Sequence, residues 1–226
     1  MLGWLAAAVL AMAGDGPGSG VEPVLALEQA GRDEAALALA EQLALQAPPS
    51  HLAHLEAARL GLKLGRDAGA VEGHLQAARA LAPDNPRVYA LGALLEEGQG
   101  DDAAARTLYL RAILLRSGYT EARTRLVALG VRTRDWALAE EQLRALIAGG
   151  DRSVGRRLQL ARVLEDAGRP GDAEATLRAL HREEPHQALV TNALADFYLR
   201  HDRAGEALAL RRAPSKKLRP LQPSRR

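Results

Sequence analysis

Small and apolar positions recur along this chain with a period much longer than one helix. A small residue stands at Ala36, Val71, Ala105, Ala139, Ala173 and Ala207, at separations of 35, 34, 34, 34 and 34 residues. Ala40, Leu75, Tyr109, Leu143 and Leu177 follow four positions later, and Leu43, Ala78, Ala112, Leu146 and Leu180 seven positions later. Offsets of four and seven bring three side chains onto one helical face. A looser column at Pro48, Pro83, Ser117, Asp151 and Pro185 closes each interval with helix-breaking or polar residues. A fixed period in this range marks a repeat array. The pattern predicts stacked helical hairpins over 21–48, 51–83, 86–116, 119–149, 152–184 and 186–212.

The turn inside each hairpin is also legible. Gly31, Gly65, Gly100 and Gly168 fall between the two helices, where a left-handed backbone costs glycine least, and Arg134 and Asp202 take that place in the fourth and sixth repeats. Pro48-Pro49 and Asp84-Asn85-Pro86 stop one helix and start the next, since proline tolerates a first turn but not an interior. Two repeats depart from the pattern near their starts. Pro23 and Val24 stand where a leucine and a small residue are expected, so the first helix of the first repeat is not expected to be regular. The second repeat carries an extra residue in the turn Gly65-Arg66-Asp67-Ala68-Gly69.

These residues resemble the tetratricopeptide repeat, a helix–turn–helix of 34 residues. The fifth repeat matches best, with Leu160-Ala161 and Leu164 in its first helix, Gly168 at the turn, Ala173, Leu177 and Leu180 in its second, and Pro185 at its close. Leu194-Ala195, Tyr198 and Ala207 fit the sixth equally well, and the resemblance covers residues 21–210. A HEAT-like array would need about 40 residues per repeat. The resemblance implies an all-α fold, a right-handed superhelical solenoid of antiparallel helix pairs, about six in number. The sixth repeat breaks off at Arg211 and Pro214, where a large apolar and a small residue should pack, and Pro214, Pro220 and Pro223 forbid a long helix beyond. No amphipathic capping helix follows, so the last hairpin is expected to fray or to be covered by a partner.

Function is implied by the same resemblance. In such arrays the first helix of each pair lines an inner channel. Carried over by position, that channel would hold Leu55, Arg59, Lys63, Tyr89, Glu96, Arg132, Leu158, Arg162, Glu165, Asn192, Asp196 and Arg200. Arg59, Arg162 and Arg200 could pair with a carboxylate or a helix C-terminus on a protein or peptide partner. The set does not reproduce the Lys/Asn clamp of chaperone-binding members, so capture of an EEVD-type C-terminus is not implied.

Composition narrows the alternatives. The 226 residues are 47% hydrophobic, 26% charged and 3% aromatic, with no cysteine, which excludes disulfides, thiolate metal sites and a cysteine nucleophile. Net charge is +2, but Arg211, Arg212, Lys216, Lys217, Arg219, Arg225 and Arg226 place seven cations and no anion in 211–226. The body is therefore mildly acidic and offers no bulk-charge argument for nucleic acid. The tail 213–226 is expected to be disordered, with at most weak contact to a polyanion or anionic lipid. His51 and His54 lie one turn apart, but no HExxH and no suitably spaced carboxylate accompanies them, so no metal is expected there. Neither a catalytic constellation nor a cofactor motif is found, and an enzyme is not expected. Trp136 is expected to pack at its hairpin turn rather than stand exposed.

Residues 2–13 form an uncharged apolar run ending Ala11-Met12-Ala13, followed by the Gly-rich stretch 14–20. Small residues at 11 and 13 fit a signal-peptide cleavage site after Ala13, although no Lys or Arg precedes the run. Twelve residues of helix span about 18 Å, too short to cross a bilayer. A periplasmic or secreted scaffold, in an envelope or pilus-type assembly, is the resulting expectation. Pilus-secretin pilotins are similar in having a signal followed by about six repeats, but they carry a lipidated cysteine that this chain lacks. The alternative is a cytoplasmic adaptor whose basic tail contacts a polyanion.

Overall fold

A computed structural model describes residues 20–212, in which twelve helices and no strand are found. The helices are α1 (Glu22–Gln29), α2 (Asp33–Ala44), α3 (His51–Lys63), α4 (Ala68–Leu81), α5 (Pro86–Gln99) and α6 (Asp102–Leu115), then α7 (Thr120–Thr133), α8 (Trp136–Ala148), α9 (Val154–Asp166), α10 (Pro170–Glu183), α11 (Ala188–Arg200) and α12 (Ala204–Arg212). The expected signal segment and the basic tail lie outside the described residues. None of the described helices is long and apolar enough to cross a membrane.

Local chemistry sets the helix boundaries. Ser50, Asp67, Asn85, Asp101, Asp135 and Ser153 each occupy an N-cap, their side-chain oxygens accepting an N–H of the first turn. At the opposite ends the turn geometry repeats. Gly31, Gly65, Gly100 and Gly168 have φ of 71°, 65°, 86° and 75°, and Arg134 and Asp202 adopt the same left-handed conformation at 59°. After the four glycines and Asp202 the next residue donates its N–H to a carbonyl five residues back, as in Arg66 to Gly61 at 2.9 Å and Arg169 to Leu164 at 2.9 Å. This closes the helix end that would otherwise leave orphan carbonyls.

The described residues form two compact blocks, divided between Thr133 and Arg134. In the first, α1/α2, α3/α4 and α5/α6 pack as hairpins, each second helix touches the first helix of the next pair, and α7 follows against α6. In the second, α8 packs on α9, and α9/α10 and α11/α12 form successive hairpins. First helices also meet one another, α3 against α5 and α9 against α11.

The periodic column is the seam of this packing. Ala36, Ala105, Ala139 and Ala173 are fully buried, and Ala207 nearly so. Val71, the one larger member, is accommodated by a local exchange. A Cβ built on Gly61 would lie 3.0 Å from Val71 Cγ2, so glycine stands where the neighbouring helix needs room.

Two expectations require correction. The first repeat does have a first helix: α1 is regular although only eight residues long, because Pro23 sits in its first turn, and Val24 is fully buried. The last hairpin is formed through Arg212 rather than frayed. Arg203 holds it from within, donating to both carboxylate oxygens of Glu174 on α10 at 2.8 and 2.9 Å. Trp136, at the first position of α8, is half-buried.

Candidate functional site

Six of the twelve expected channel residues belong to the first block, and the structure engages most of them internally. Leu55 and Arg59 are fully buried, so neither faces solvent as the positional argument supposed. Two carboxylates bracket the Arg59 guanidinium. It donates to Glu28 at 2.9 and 2.5 Å and to Glu56 at 2.7 Å, and Glu56 accepts in turn from Arg87 at 2.6 Å. Lys63 adds bonds to Glu28 at 2.9 Å and Asp33 at 2.8 Å. Burial alone would raise the Glu28 carboxyl, but hydrogen bonds and charge from Arg59 and Lys63 prevail and hold it at about 2. Tyr89 is half-buried, its hydroxyl donating to the Pro83 carbonyl at 2.7 Å, and Glu96 is half-buried. Arg132 is exposed yet paired, to Asp102 at 2.5 Å and Glu97 at 3.2 Å.

In the second block the expected residues converge. A cavity of about 240 Å³ opens between α9, α10 and α11, lined by Leu158, Ala161, Arg162, Glu165, Leu177, Ala193, Asp196 and Arg200. Five of the expected residues border it, and Asn192 is exposed on α11 beside it. The floor is aliphatic and the rim is charged. Arg200 grips Glu165 with two bonds of 2.9 and 2.8 Å, and His201 Nε2 lies 3.1 Å from the same carboxylate. The Arg200 hydrogen bond, against the opposing effect of burial, holds Glu165 below the usual carboxylate range. Arg162 donates from Nε to Asp166 at 3.1 Å, its Nη1 lies 3.7 Å from Glu165, and its side chain stays more than half exposed. Asp196 meets Arg211 at only 3.4 Å.

One relation recurs within each block. Lys63 pairs with Glu28, Arg132 with Glu97 and Arg200 with Glu165, each across 35 residues. In every case a cation in the last turn of one first helix bonds a carboxylate near the end of the preceding first helix. Reading helix faces one repeat at a time missed Glu28, Glu97 and Glu56. The constant offset of 35 between acid and base was the signal that could have found the first two. Glu97 also accepts from the buried Tyr109 hydroxyl at 2.6 Å, so that burial and the adjacent carboxylate push this phenol upward.

The helix pairs, their left-handed turns and their small-residue seam match solved structures of one kind. A tetratricopeptide repeat protein from Parabacteroides merdae superposes with a TM-score of 0.61 at 18% identity, covering 84% of this chain and 75% of that one. This chain has the tetratricopeptide-repeat fold. MamA from Desulfovibrio magneticus gives a TM-score of 0.57 at 15% identity over 71% of this chain and 90% of that one. A chain of the APC/C hetero-tetramer Cut9–Hcn1 gives 0.55 at 16% identity, covering 77% of this chain but 35% of that one. No family model and no curated protein matches the sequence. In tetratricopeptide terms, the three acid–base pairs fasten the first helices of consecutive repeats, and the cavity lies on the first-helix side of the fifth and sixth.

Proposed function

We propose that this chain is a non-enzymatic scaffold that holds a protein or peptide partner on the first-helix face of its second block. The observation that carries this reading is the open cavity of about 240 Å³, with its aliphatic floor and the exposed side chain of Arg162 on its rim. An aliphatic side chain of the partner would seat against Leu158, Ala161 and Ala193. A neighbouring carboxylate would meet Arg162, for which charge-assisted pairing is strong and directional. Arg200 is less available, because Glu165 already occupies both ends of its fork. The fold supports the same reading, since repeat arrays present extended surfaces to partners. A crosslinking pulldown with a photoreactive residue at Ala193 tests it. A discrete partner should be captured by the natural sequence, lost with Arg162→Glu, and retained when residues 213–226 are deleted. Capture that survives Arg162→Glu but fails on tail deletion would transfer the function to the basic tail.

We place the scaffold in an exported, envelope-type assembly on the strength of the apolar run 2–13 and its Ala-Met-Ala end. Fractionation with N-terminal sequencing decides this, a mature chain beginning at Gly14 being the expected result.

A further inference from the structure

His54 on α3 and His74 on α4 meet across the second hairpin. Their Nδ1 atoms lie 3.1 Å apart, and the ring centroids 5.3 Å apart with planes tilted by 48°. Both rings are half-buried, so water and small ions reach them. The same nitrogen of each ring faces the other across this gap. A neutral pair can satisfy that contact with one hydrogen bond only if the two rings take opposite tautomers. With Nε2 protonated on both, two lone pairs converge, as they do on a shared cation. Protonating one ring would also satisfy the contact, its N–H donating to the other's neutral Nδ1, but the charged form is disfavoured there. Burial holds both imidazoles below the ordinary histidine range, the His74 charge adding to this at His54 and the Glu41 carboxylate opposing it at His74. Neutral rings need lose no proton before ligating.

We propose that His54 and His74 together bind a borderline divalent transition-metal ion such as zinc, copper(II) or nickel. A metal about 2.05 Å from each nitrogen would subtend about 98° across the 3.1 Å gap, between the square-planar and tetrahedral angles. Imidazole pairs select these ions over magnesium and calcium, which prefer oxygen. Glu41 supplies a negative charge that favours cation entry. No group of three or more candidate ligands gathers among the described residues, so water completes the coordination and the ion exchanges freely. Binding would tie α3 to α4 within one hairpin and leave the cavity on α9 and α11 untouched.

Isothermal titration of the full chain with zinc chloride, after removal of trace metal by EDTA, tests the site. One equivalent should bind, with affinity reduced at least tenfold in His54→Gln and in His74→Gln and unchanged in His51→Gln. NMR of histidine-labelled natural protein provides a readout that needs no variant. Zinc should shift two of the six imidazoles and leave the other four in place. Absence of binding, binding by either variant as tight as by the natural chain, or shifts spread over other histidines would overturn the proposal.

Discussion

Arg59 shows how far a single residue can depart from what its position suggests. Its place on a first helix marks it as a groove cation, yet its side chain is wholly enclosed by Glu28, Glu56 and their partners. The sequence alone could not reveal this, because enclosure depends on carboxylates 31 residues back and three residues back arriving at one point. A buried ion pair adds little over an apolar core, but breaking one strands a charge. Arg59→Ala should therefore cost about 3–5 kcal/mol in urea unfolding, and a loss below about 1 kcal/mol would show that water screens the site. Glu28 gives a second, pH-dependent outcome. Its carboxyl titrates at about 2 in the folded chain against an ordinary 4.5. The stability it contributes is thus complete above about pH 4.5 and drains away as pH falls toward 2, up to about 3 kcal/mol in all. Unfolding midpoints followed from neutral pH to about pH 2 should fall less steeply for Glu28→Gln than for the natural chain.

At the scale of elements the reading of the residues was closest. The helix spans, the turn positions and the buried alanine column all follow from periodicity, because small side chains recur wherever two helix backbones must approach. Where the column departs from alanine, packing compensates through a residue that periodicity does not mark. Val71 is larger than its counterparts, and Gly61 opposite it is smaller than the leucine found at Leu164 in the fifth repeat. Restoring a large residue at one place without shrinking the other should overpack the hairpin. Gly61→Leu is expected to lower stability by about 1–3 kcal/mol, and Val71→Ala in the same chain should recover at least half of that. Independent, additive effects in the double variant would mean that the two positions are not coupled. The same scale explains the formed last hairpin. Apolar pattern alone argued for fraying at Arg211 and Pro214, but the Arg203–Glu174 pair is a polar tie that a hydrophobic template does not count.

For the molecule as a whole, fold class was legible and the site only in part. Helical periodicity is a local property and survives in one sequence. A binding surface is a property of several helices at once, so of the twelve positions carried over, five converge on one cavity while Leu55 and Arg59 are interior. The chemistry of the partner is less legible still. Most rim charges are paired within the chain; Arg162, paired with Asp166 and Glu165 but more than half exposed, is the cation through which a partner's carboxylate should act.

The acid–base pairs that fasten first helices carry a further consequence. Glu28, Glu97 and Glu165 are 69 and 68 residues apart, so the charges advance in double steps while the alanines advance in single ones. Shortening the chain is therefore not indifferent to parity. Excising Ala36–Ala70 would bring Val71 into the place of Ala36 but set Gly98 opposite Glu28; excising Ala36–Ala104 would bring Arg132 there instead. Both cuts remove Arg59, so the Glu28 carboxyl should rise in each; the longer one, which restores a cation through Arg132, should hold it lower by NMR titration than the shorter one, where it drifts back toward 4.5.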